Sequence, residues 1–217
     1  MEVVVKPNAQ TVFFLIIGLV ASLGSAQDTN NSPCAPPGEA AVEFRISMRK
    51  LWEEHLTYTR NYIISALAQL PDLEAVAQRL MRNQDDIGNA VKPYYGSDAG
   101  TKLAGLLRDH IKIAAEVVQA ATSGEKENLE ASQTKWSENA TKLAEFLSDA
   151  NPKLSRSHFQ EMLQKHLDLT TGEVVARLKR DWATDIKAYD AGHVHMLMFS
   201  DALVDGIVEQ FPEKFPR

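Results

Sequence analysis

The sequence predicts an all-α fold, an antiparallel bundle of about six helical segments of which three to four are long. From Ala40 onward, apolar residues recur at spacings of three and four, which is typical of amphipathic helices. No stretch alternates apolar and polar residues between turn residues, as β-strands do. The 217 residues and the apolar fraction of 44% suit one domain with a buried core.

The first 26 residues are typical of a secretory signal peptide. Lys6 precedes the apolar run Val12–Leu23, and the small residues Gly24-Ser25-Ala26 follow it, where a signal peptidase would cleave. This run of about a dozen apolar residues is shorter than the roughly 20 that a membrane span requires. We therefore expect a secreted or extracytoplasmic protein with no transmembrane span in the mature chain.

Residues 27–39 are rich in proline and small polar residues, which predicts a flexible tether between the signal peptide and a bundle domain over residues 40–217. The tether contains Cys34, the only cysteine of the chain. In an oxidising compartment Cys34 would be either a free thiol or half of an intermolecular disulfide.

The first three predicted helices are separated by proline and glycine. Helix one covers about Ala40–Leu70 and ends at Pro71-Asp72, because proline fits the first turn of a new helix but not the middle of an old one. Helix two covers about Leu73–Lys92. The turn Pro93–Gly96 leads to helix three, about Asp98–Thr122, which ends at a glycine.

The second half of the chain predicts three more helices. Helix four covers about Glu125–Ala150 and ends at Asn151-Pro152. The helical pattern that follows is too long for one globular helix, and Thr170-Thr171-Gly172-Glu173 matches a capping box. We therefore predict a short helix over about Ser157–Leu169 and a long one over about Thr171–Gln210.

Composition and motifs exclude several functional classes. The 23 basic and 29 acidic side chains give a net charge of −6, so we expect no nucleic-acid partner. A single cysteine excludes metal sites built from several cysteines. The sequence contains neither a glycine-rich phosphate loop nor a Gly-x-Ser-x-Gly elbow, so we expect a non-catalytic protein.

Four histidines fall on the apolar faces of different predicted helices: His55, His110, His166 and His193. Neutral imidazole is a common ligand of Zn, Cu and Fe, so inward histidines that met in the bundle could hold a metal ion. Alternatively, each is a structural core residue that hydrogen-bonds to a backbone carbonyl. A third interpretation is b-type haem held between two of them.

Helix geometry predicts which residues meet. In a hairpin of the first two helices, His55 lies about 15 residues, or roughly 22 Å, below the turn, and Asp86 lies equally far down the partner. His110 lies about 9 Å from that level, a gap that helix tilt can close. His193 follows Asp190 at a spacing close to the Glu-x-x-His of di-iron bundles. The predicted metal ligands are therefore His55, Asp86, His110 and His193. A purely structural hydrogen bond between His55 and Asp86 is the alternative.

Several blocks of the chain resemble a family of helical-bundle proteins found in bacilli, clostridia and some archaea. The blocks are LWEEH and TRNYIIS within residues 51–65, RNQDDIGNA at 82–90, KPYYG at 92–96, HLDLTTGEVVAR at 166–177 and GIVEQFPEKF at 206–215. The resemblance covers nearly the whole predicted bundle and implies a helical fold without assigning catalytic residues. Of the candidate residues, His55, Asp86, His110 and His166 lie inside or beside these blocks.

The sequence thus predicts an exported, non-catalytic bundle that holds a small ligand or a metal ion, Zn, Fe or Cu, through core histidines and aspartate. The alternative is a cell-surface structural or protein-interaction module, which binds a protein partner or a second copy of itself. An exposed apolar strip on the last helix, formed by Leu197, Leu203 and Ile207, would favour this alternative.

Overall fold

The computed structural model describes residues 38–216, which form five α-helices and one short 3-10 helix. The elements are α1 (Glu39–Ala68), α2 (Leu73–Ser123), α3 (Lys126–Ala150), α4 (Arg156–Leu178), α5 (Trp182–Gln210) and the 3-10 helix Pro212–Lys214. The all-α prediction is confirmed for residues 38–216, which contain no strand. The predicted signal peptide, Cys34 and nearly all of the tether lie outside the described residues.

The helices pack against one another in chain order, and α5 returns to pack on α1. Neighbouring helices are antiparallel, because Asn83 of α2 binds the Leu51 carbonyl of α1 while Arg79 binds Glu54, nearer the connection between the two helices. Residues 69–72, 124–125 and 179–181 connect the helices at one end of the bundle, which we call the turn end. Across residues 38–216, no helix reaches both the length and the hydropathy of a membrane span.

Helix α2 folds back on itself at Gly96, where the predicted turn lies. Gly96 has φ 85° and ψ 170°, a conformation that a residue with a side chain rarely adopts. The arms before and after it, residues 73–95 and 97–123, pack against each other, and Asp85 of the first arm binds Arg108 of the second. The arms cross most closely at Gly88 and Gly100, where a Cβ atom on Gly88 would lie 2.5 Å from the Gly100 carbonyl oxygen.

The predicted break at Thr170–Glu173 does not occur, since α4 runs through these residues to Leu178. The Thr170 hydroxyl donates to the His166 carbonyl one turn earlier instead of capping a new helix. The chain turns ten residues later, where Arg180 has φ 60° and the Asp181 carboxylate accepts a hydrogen bond from the Thr184 amide at 3.1 Å. Helix α5 therefore begins at Trp182 and not near Thr171.

The core between the helices is built from large apolar side chains that are almost entirely buried. The largest of them are Met48, Ile63, Leu80, Ile87, Leu143, Met196, Phe199, Leu203 and Ile207. Two of these, Leu203 and Ile207, belong to the strip that could have been exposed on the last helix. The inner face of α5 is thus part of the core.

We predict that the glycine crossing in α2 tolerates no side chain. Gly88→Ala should lower the free energy of unfolding by about 1–3 kcal/mol, because its Cβ would also lie 2.7 Å from the Ala104 Cβ. Gly105→Ala is the matched control, since nothing lies within 4 Å of its Cβ position. That variant should unfold at the same or a slightly higher urea concentration. Equal midpoints for the two variants would contradict the close crossing.

Candidate metal centre

Each helical segment of the bundle places one polar side chain at the same level of the core. Counted from the turn end, these residues lie 11 to 13 positions along their segments, roughly 16–20 Å. We call them the polar layer: His55, Gln84, His110, Asn139, His166 and His195. All except His195 are buried. The core around the layer is mainly apolar.

Three imidazoles of the layer meet at its centre. The ring centroids of His55 and His166 are 5.7 Å apart, those of His110 and His166 are 5.8 Å apart, and those of His55 and His110 are 6.5 Å apart. Each ring is at most 3% exposed. We call these residues the histidine trio; they come from α1, the second arm of α2 and α4.

A second layer residue fixes the tautomer of His110. Its Nδ1 lies 2.9 Å from Oδ1 of Asn139, and the Asn139 Nδ2 group donates to the Leu106 carbonyl at 3.1 Å. Because that carbonyl can only accept, the Asn139 oxygen faces His110, whose Nδ1 must then carry the proton. The Nε2 atom of neutral His110 is therefore left with a free lone pair.

Several polar atoms around the trio have no hydrogen-bond partner among the described residues. They are Nδ1 of His55, Nδ1 of His166, Oε1 of Gln84 and the indole Nε1 atoms of Trp52 and Trp136. The two indoles lie against the trio, with ring centroids 5.5 Å from His55 and 5.3 Å from His110. A buried polar atom without a partner costs about 1–3 kcal/mol. The described residues therefore leave part of the hydrogen-bonding capacity of this layer unused, at a cost in stability.

Burial keeps the trio uncharged. Loss of solvent lowers the pKa of His55 to about 3 and that of His110 to about 4, and nearby His110 lowers the pKa of His55 further. Burial also lowers the pKa of His166 well below its ordinary value, with His55 and His110 adding to the effect. Gln84 lies beside His55 and opposes the shift there. All three imidazoles are thus neutral at pH 7, the form that binds metals.

The structure brings together two of the four predicted ligands. His55 and His110 meet, but His193 is partly exposed and lies 3.3 Å from the Glu53 carboxylate on the surface. Asp86 is half-buried and lies near Arg79. Gln84, two residues earlier on the same arm, faces His55 instead.

The partners that the sequence analysis did not select are His166, Gln84, Asn139 and His195. All four lie at nearly the same distance from the turn end as His55 and His110. This becomes apparent once the α4–α5 turn is placed at residues 179–181. His195 donates from Nε2 to the Met162 carbonyl at 2.8 Å, so its ring is tied to the backbone beside the trio. The misplaced helix break concealed this regularity.

The trio is close to the geometry of a three-histidine metal site. Three imidazoles on one ion have ring centroids about 5.2–5.6 Å apart, given metal–nitrogen bonds of about 2.0–2.1 Å. Two of the observed separations exceed this range by little, and the third exceeds it by about 1 Å. Within residues 38–216, no group of three or more His, Cys, Asp or Glu side chains is arranged to hold a metal ion. Binding would therefore require the three rings to move closer together.

The cavities that border Trp52 and Trp136 are too small for a porphyrin. They have volumes of about 20 Å³, beside Trp136 and Thr59, and about 10 Å³, beside Trp52 and Phe199. Sites for drug-sized ligands occupy roughly 300–1,000 Å³. A b-type haem between two of these histidines would require the helices to separate.

A second buried polar cluster lies between the trio and the turn end. Arg60 donates to Glu173 at 2.6 Å and to Asp185 at 3.0 Å, and Arg177 donates to Asp185 at 2.8 Å. Burial raises the pKa of Glu173 to about 7, although Arg60 opposes the shift. Two guanidinium groups thus face two carboxyl groups, and the cluster ties α1, α4 and α5 together. These charges are paired with each other, so we regard the cluster as structural.

Comparison of the chain with protein-family models, curated proteins and solved structures finds no significant match. The geometry of the polar layer is therefore the basis for inferring a function.

We predict that the trio makes the fold sensitive to acid. As the pH falls from about 6.5 to about 4, the unfolded chain binds protons that the folded trio does not bind. The free energy of unfolding should therefore fall with decreasing pH, by up to about 1.4 kcal/mol per pH unit for each histidine.

Urea unfolding of the metal-free protein between pH 4 and 7 measures this slope. His55→Gln should reduce it, whereas His158→Gln, at an exposed position of α4, should leave it unchanged. If the His55 variant retained the full slope, a charged or solvated trio would be indicated.

Proposed function

We propose that this protein is an exported, non-catalytic helical bundle that binds one transition-metal ion through His55, His110 and His166. The observation that carries the proposal is the convergence of three buried neutral imidazoles from three helical segments, with centroid separations of 5.7–6.5 Å. Compared with the ligands predicted from sequence, His166 replaces Asp86 and His193. Export is supported by the sequence of residues 1–26 alone.

The hydrogen bonding of the layer supports a metal-binding role. Metal-ligating histidines commonly donate their second ring N–H to a carbonyl or carboxylate, which orients the ring and fixes its tautomer. Asn139 provides this interaction for His110 and is itself oriented by the Leu106 carbonyl. A purely structural layer would be expected to satisfy its own polar atoms, but among the described residues the buried Nδ1 of His166 has no partner, and that of His55 has only Gln84 nearby.

The small cavities beside the two indoles support binding and not catalysis. The cavity at Trp136 has a volume of about 20 Å³ and the one at Trp52 about 10 Å³, and neither admits an organic substrate. A bound ion would instead link three helical segments and stabilise the fold, since a ligand that binds only the folded state raises the free energy of unfolding.

We predict one metal ion per chain and an increase in melting temperature when the ion is added to the metal-free protein. Elemental analysis and titration with Zn²⁺, Fe²⁺ and Cu⁺ measure these two quantities. His166→Asn should abolish stoichiometric binding, and Asn139→Leu should weaken it about 10–100-fold by releasing the His110 ring. His158→Gln is the control. Absence of binding by all three ions, with an unchanged melting temperature, would contradict the proposal.

A protein-interaction module remains the second candidate, because α5 carries an exposed apolar stripe on its outer face. The stripe consists of Trp182, Ile186, Val194 and Met198, whose exposures are between 52% and 59%. They form two i, i+4 pairs, Trp182 with Ile186 and Val194 with Met198, and the exposed Asp190 lies between the pairs. Exposed apolar surface is typical of interaction sites, and the same stripe on a second copy would be complementary to it about a two-fold axis.

This candidate predicts self-association that depends on the stripe. Sedimentation of the purified protein at micromolar concentrations should show dimers, and Val194→Glu should convert them to monomers. Glu53→Gln, on the exposed side of α1, is the control and should leave the dimer intact. A wild-type protein that remains monomeric throughout the concentration range would remove this candidate.

A further inference from the structure

We propose that the corner at which α4 turns into α5 docks on a membrane surface that contains anionic lipids. We define this α4–α5 corner as residues 175–187. The proposal goes beyond the metal centre and uses none of its residues. It is carried by exposed apolar side chains, by the exposed basic side chains beside them and by the position of one tryptophan.

The α4–α5 corner exposes four large apolar side chains around a connection of three residues. Val175 and Leu178 are each 40% exposed, Trp182 is 52% exposed and Ile186 is 54% exposed. Nearly half of the exposed large apolar side chains among residues 38–216 thus fall within twelve consecutive positions. Apolar side chains exposed singly are common on protein surfaces, but a concentration of this kind indicates an interaction site.

Trp182 is held on the corner by neighbouring charged groups. The Arg177 guanidinium lies over its ring, with 5.4 Å between Cζ and the ring centroid, and donates to the Asp185 carboxylate at 2.8 Å. Arg60 of α1 also binds Asp185, which is buried. The indole is therefore fixed at the surface. Its apolar ring and polar N–H suit the boundary between the headgroups and acyl chains of a bilayer.

The charges of the corner favour an anionic partner. Lys179, Arg180 and Lys187 are exposed. Within residues 175–187, all of which the structure describes, Asp181 is the only exposed acid. The chain as a whole has a net charge of −6, so the corner is a local excess of positive charge on an acidic protein. It is complementary to a negatively charged surface.

This positive charge is not shared by the other two connections at the turn end. Exposed Asp72 and Glu74 lie where α1 meets α2, and Glu125 and Glu127 flank Lys126 where α2 meets α3. An anionic surface would repel these two connections and attract the third. The protein would therefore approach a membrane with the α4–α5 corner first.

A membrane surface satisfies both features of the corner together. Lysine and arginine side chains are attracted to the negative potential of anionic headgroups. Tryptophan and leucine side chains beside them bury their apolar surface at the level of the headgroups. The corner places the two kinds of side chain next to each other, which is typical of proteins that bind the surface of a membrane without crossing it.

Vesicles provide the test, and Trp182 is the probe. The full chain is titrated with vesicles of phosphatidylglycerol and, separately, of phosphatidylcholine, while tryptophan emission is recorded. Trp52 and Trp136 are only 4% and 3% exposed, so a change in emission reports on Trp182. We expect a shift to shorter wavelength with phosphatidylglycerol only. Added salt should raise the lipid concentration that gives half of this shift, because it screens the attraction.

Paired charge variants test the role of the basic side chains. Lys179→Gln combined with Arg180→Gln should raise the lipid concentration at half shift at least about tenfold. Lys50→Gln combined with Lys142→Gln is the matched control, since it removes the same charge from exposed positions on α1 and α3. This control should bind phosphatidylglycerol as the wild type does.

Paired apolar variants test the role of the exposed side chains and retain the probe. Leu178→Ser should weaken the emission shift, whereas Ile46→Ser, at a position of α1 that is 63% exposed, should leave it unchanged. Every variant carries the same residues 1–37, so differences among the variants arise from the substituted positions. Circular dichroism establishes that each variant is folded.

Three results would overturn the proposal. The first is an equal emission shift with phosphatidylcholine, or no shift with either lipid. The second is unchanged binding by the Lys179 and Arg180 variant. The third is a shift that appears without vesicles as the protein concentration rises, which would show that a second copy covers Trp182. The metal centre is tested separately, since His166→Asn should bind vesicles as the wild type does.

Discussion

The register of this bundle depends above all on one layer of polar side chains in a mainly apolar core. Six helical segments each contribute one residue to it, at nearly the same distance from the turn end. Sliding a segment by one turn, about 5.4 Å, would move its polar residue among leucines and phenylalanines. Each polar group stranded in this way costs about 1–3 kcal/mol, so the layer favours one alignment of the helices over the others. The glycine crossing in α2 and the ionic cluster of Arg60 fix the alignment of particular helices. The polar layer, in contrast, contributes to the alignment of all the helical segments.

The same layer defines the candidate centre, because its hydrogen bonds are incomplete. Asn139 holds the ring of His110 in one tautomer, and Met162 provides a backbone acceptor for His195. Among residues 38–216, the ring of His166 has no corresponding partner at Nδ1, and that of His55 has only Gln84 nearby. A layer that only aligned helices would gain stability from satisfying these atoms. Under the proposed function, a bound ion would add the missing interaction and draw the three rings together.

The sequence predicted the helical fold and most helix ends well, because these depend on local chemistry. Proline and glycine end or bend helices whatever their tertiary surroundings. The structure turns at or beside Pro71, Gly96 and Gly124. The break at Thr170 was wrong, since a Thr-x-x-Glu pattern also occurs inside helices when the threonine binds the preceding turn. Glu173 is buried against Arg60, a tertiary contact that no local pattern contains.

Of the candidate ligands chosen from the sequence, only His55 and His110 meet in the structure, because the positions of the others depend on tertiary packing. The level of His55 on the hairpin was nearly correct, but residue 84 and not residue 86 faces it, because a shift of two residues rotates a helix face by about 200°. The level of His193 in the bundle could not be predicted without the position of the α4–α5 turn. The close approach of Gly88 to Gly100 sets the spacing of the two α2 arms and is possible because neither residue has a side chain. Two glycines at these positions produce no periodic sequence pattern, so the contact could not be predicted.

The most direct test of the central claim is anomalous diffraction from crystals of the protein prepared separately with Zn²⁺, Fe²⁺ and Cu⁺. At the absorption edge of the bound ion, the account predicts a single strong peak in the core, about 2 Å from one nitrogen each of His55, His110 and His166. A peak at the surface beside His193 and Glu53, or no peak within bonding distance of the three imidazoles, would contradict it.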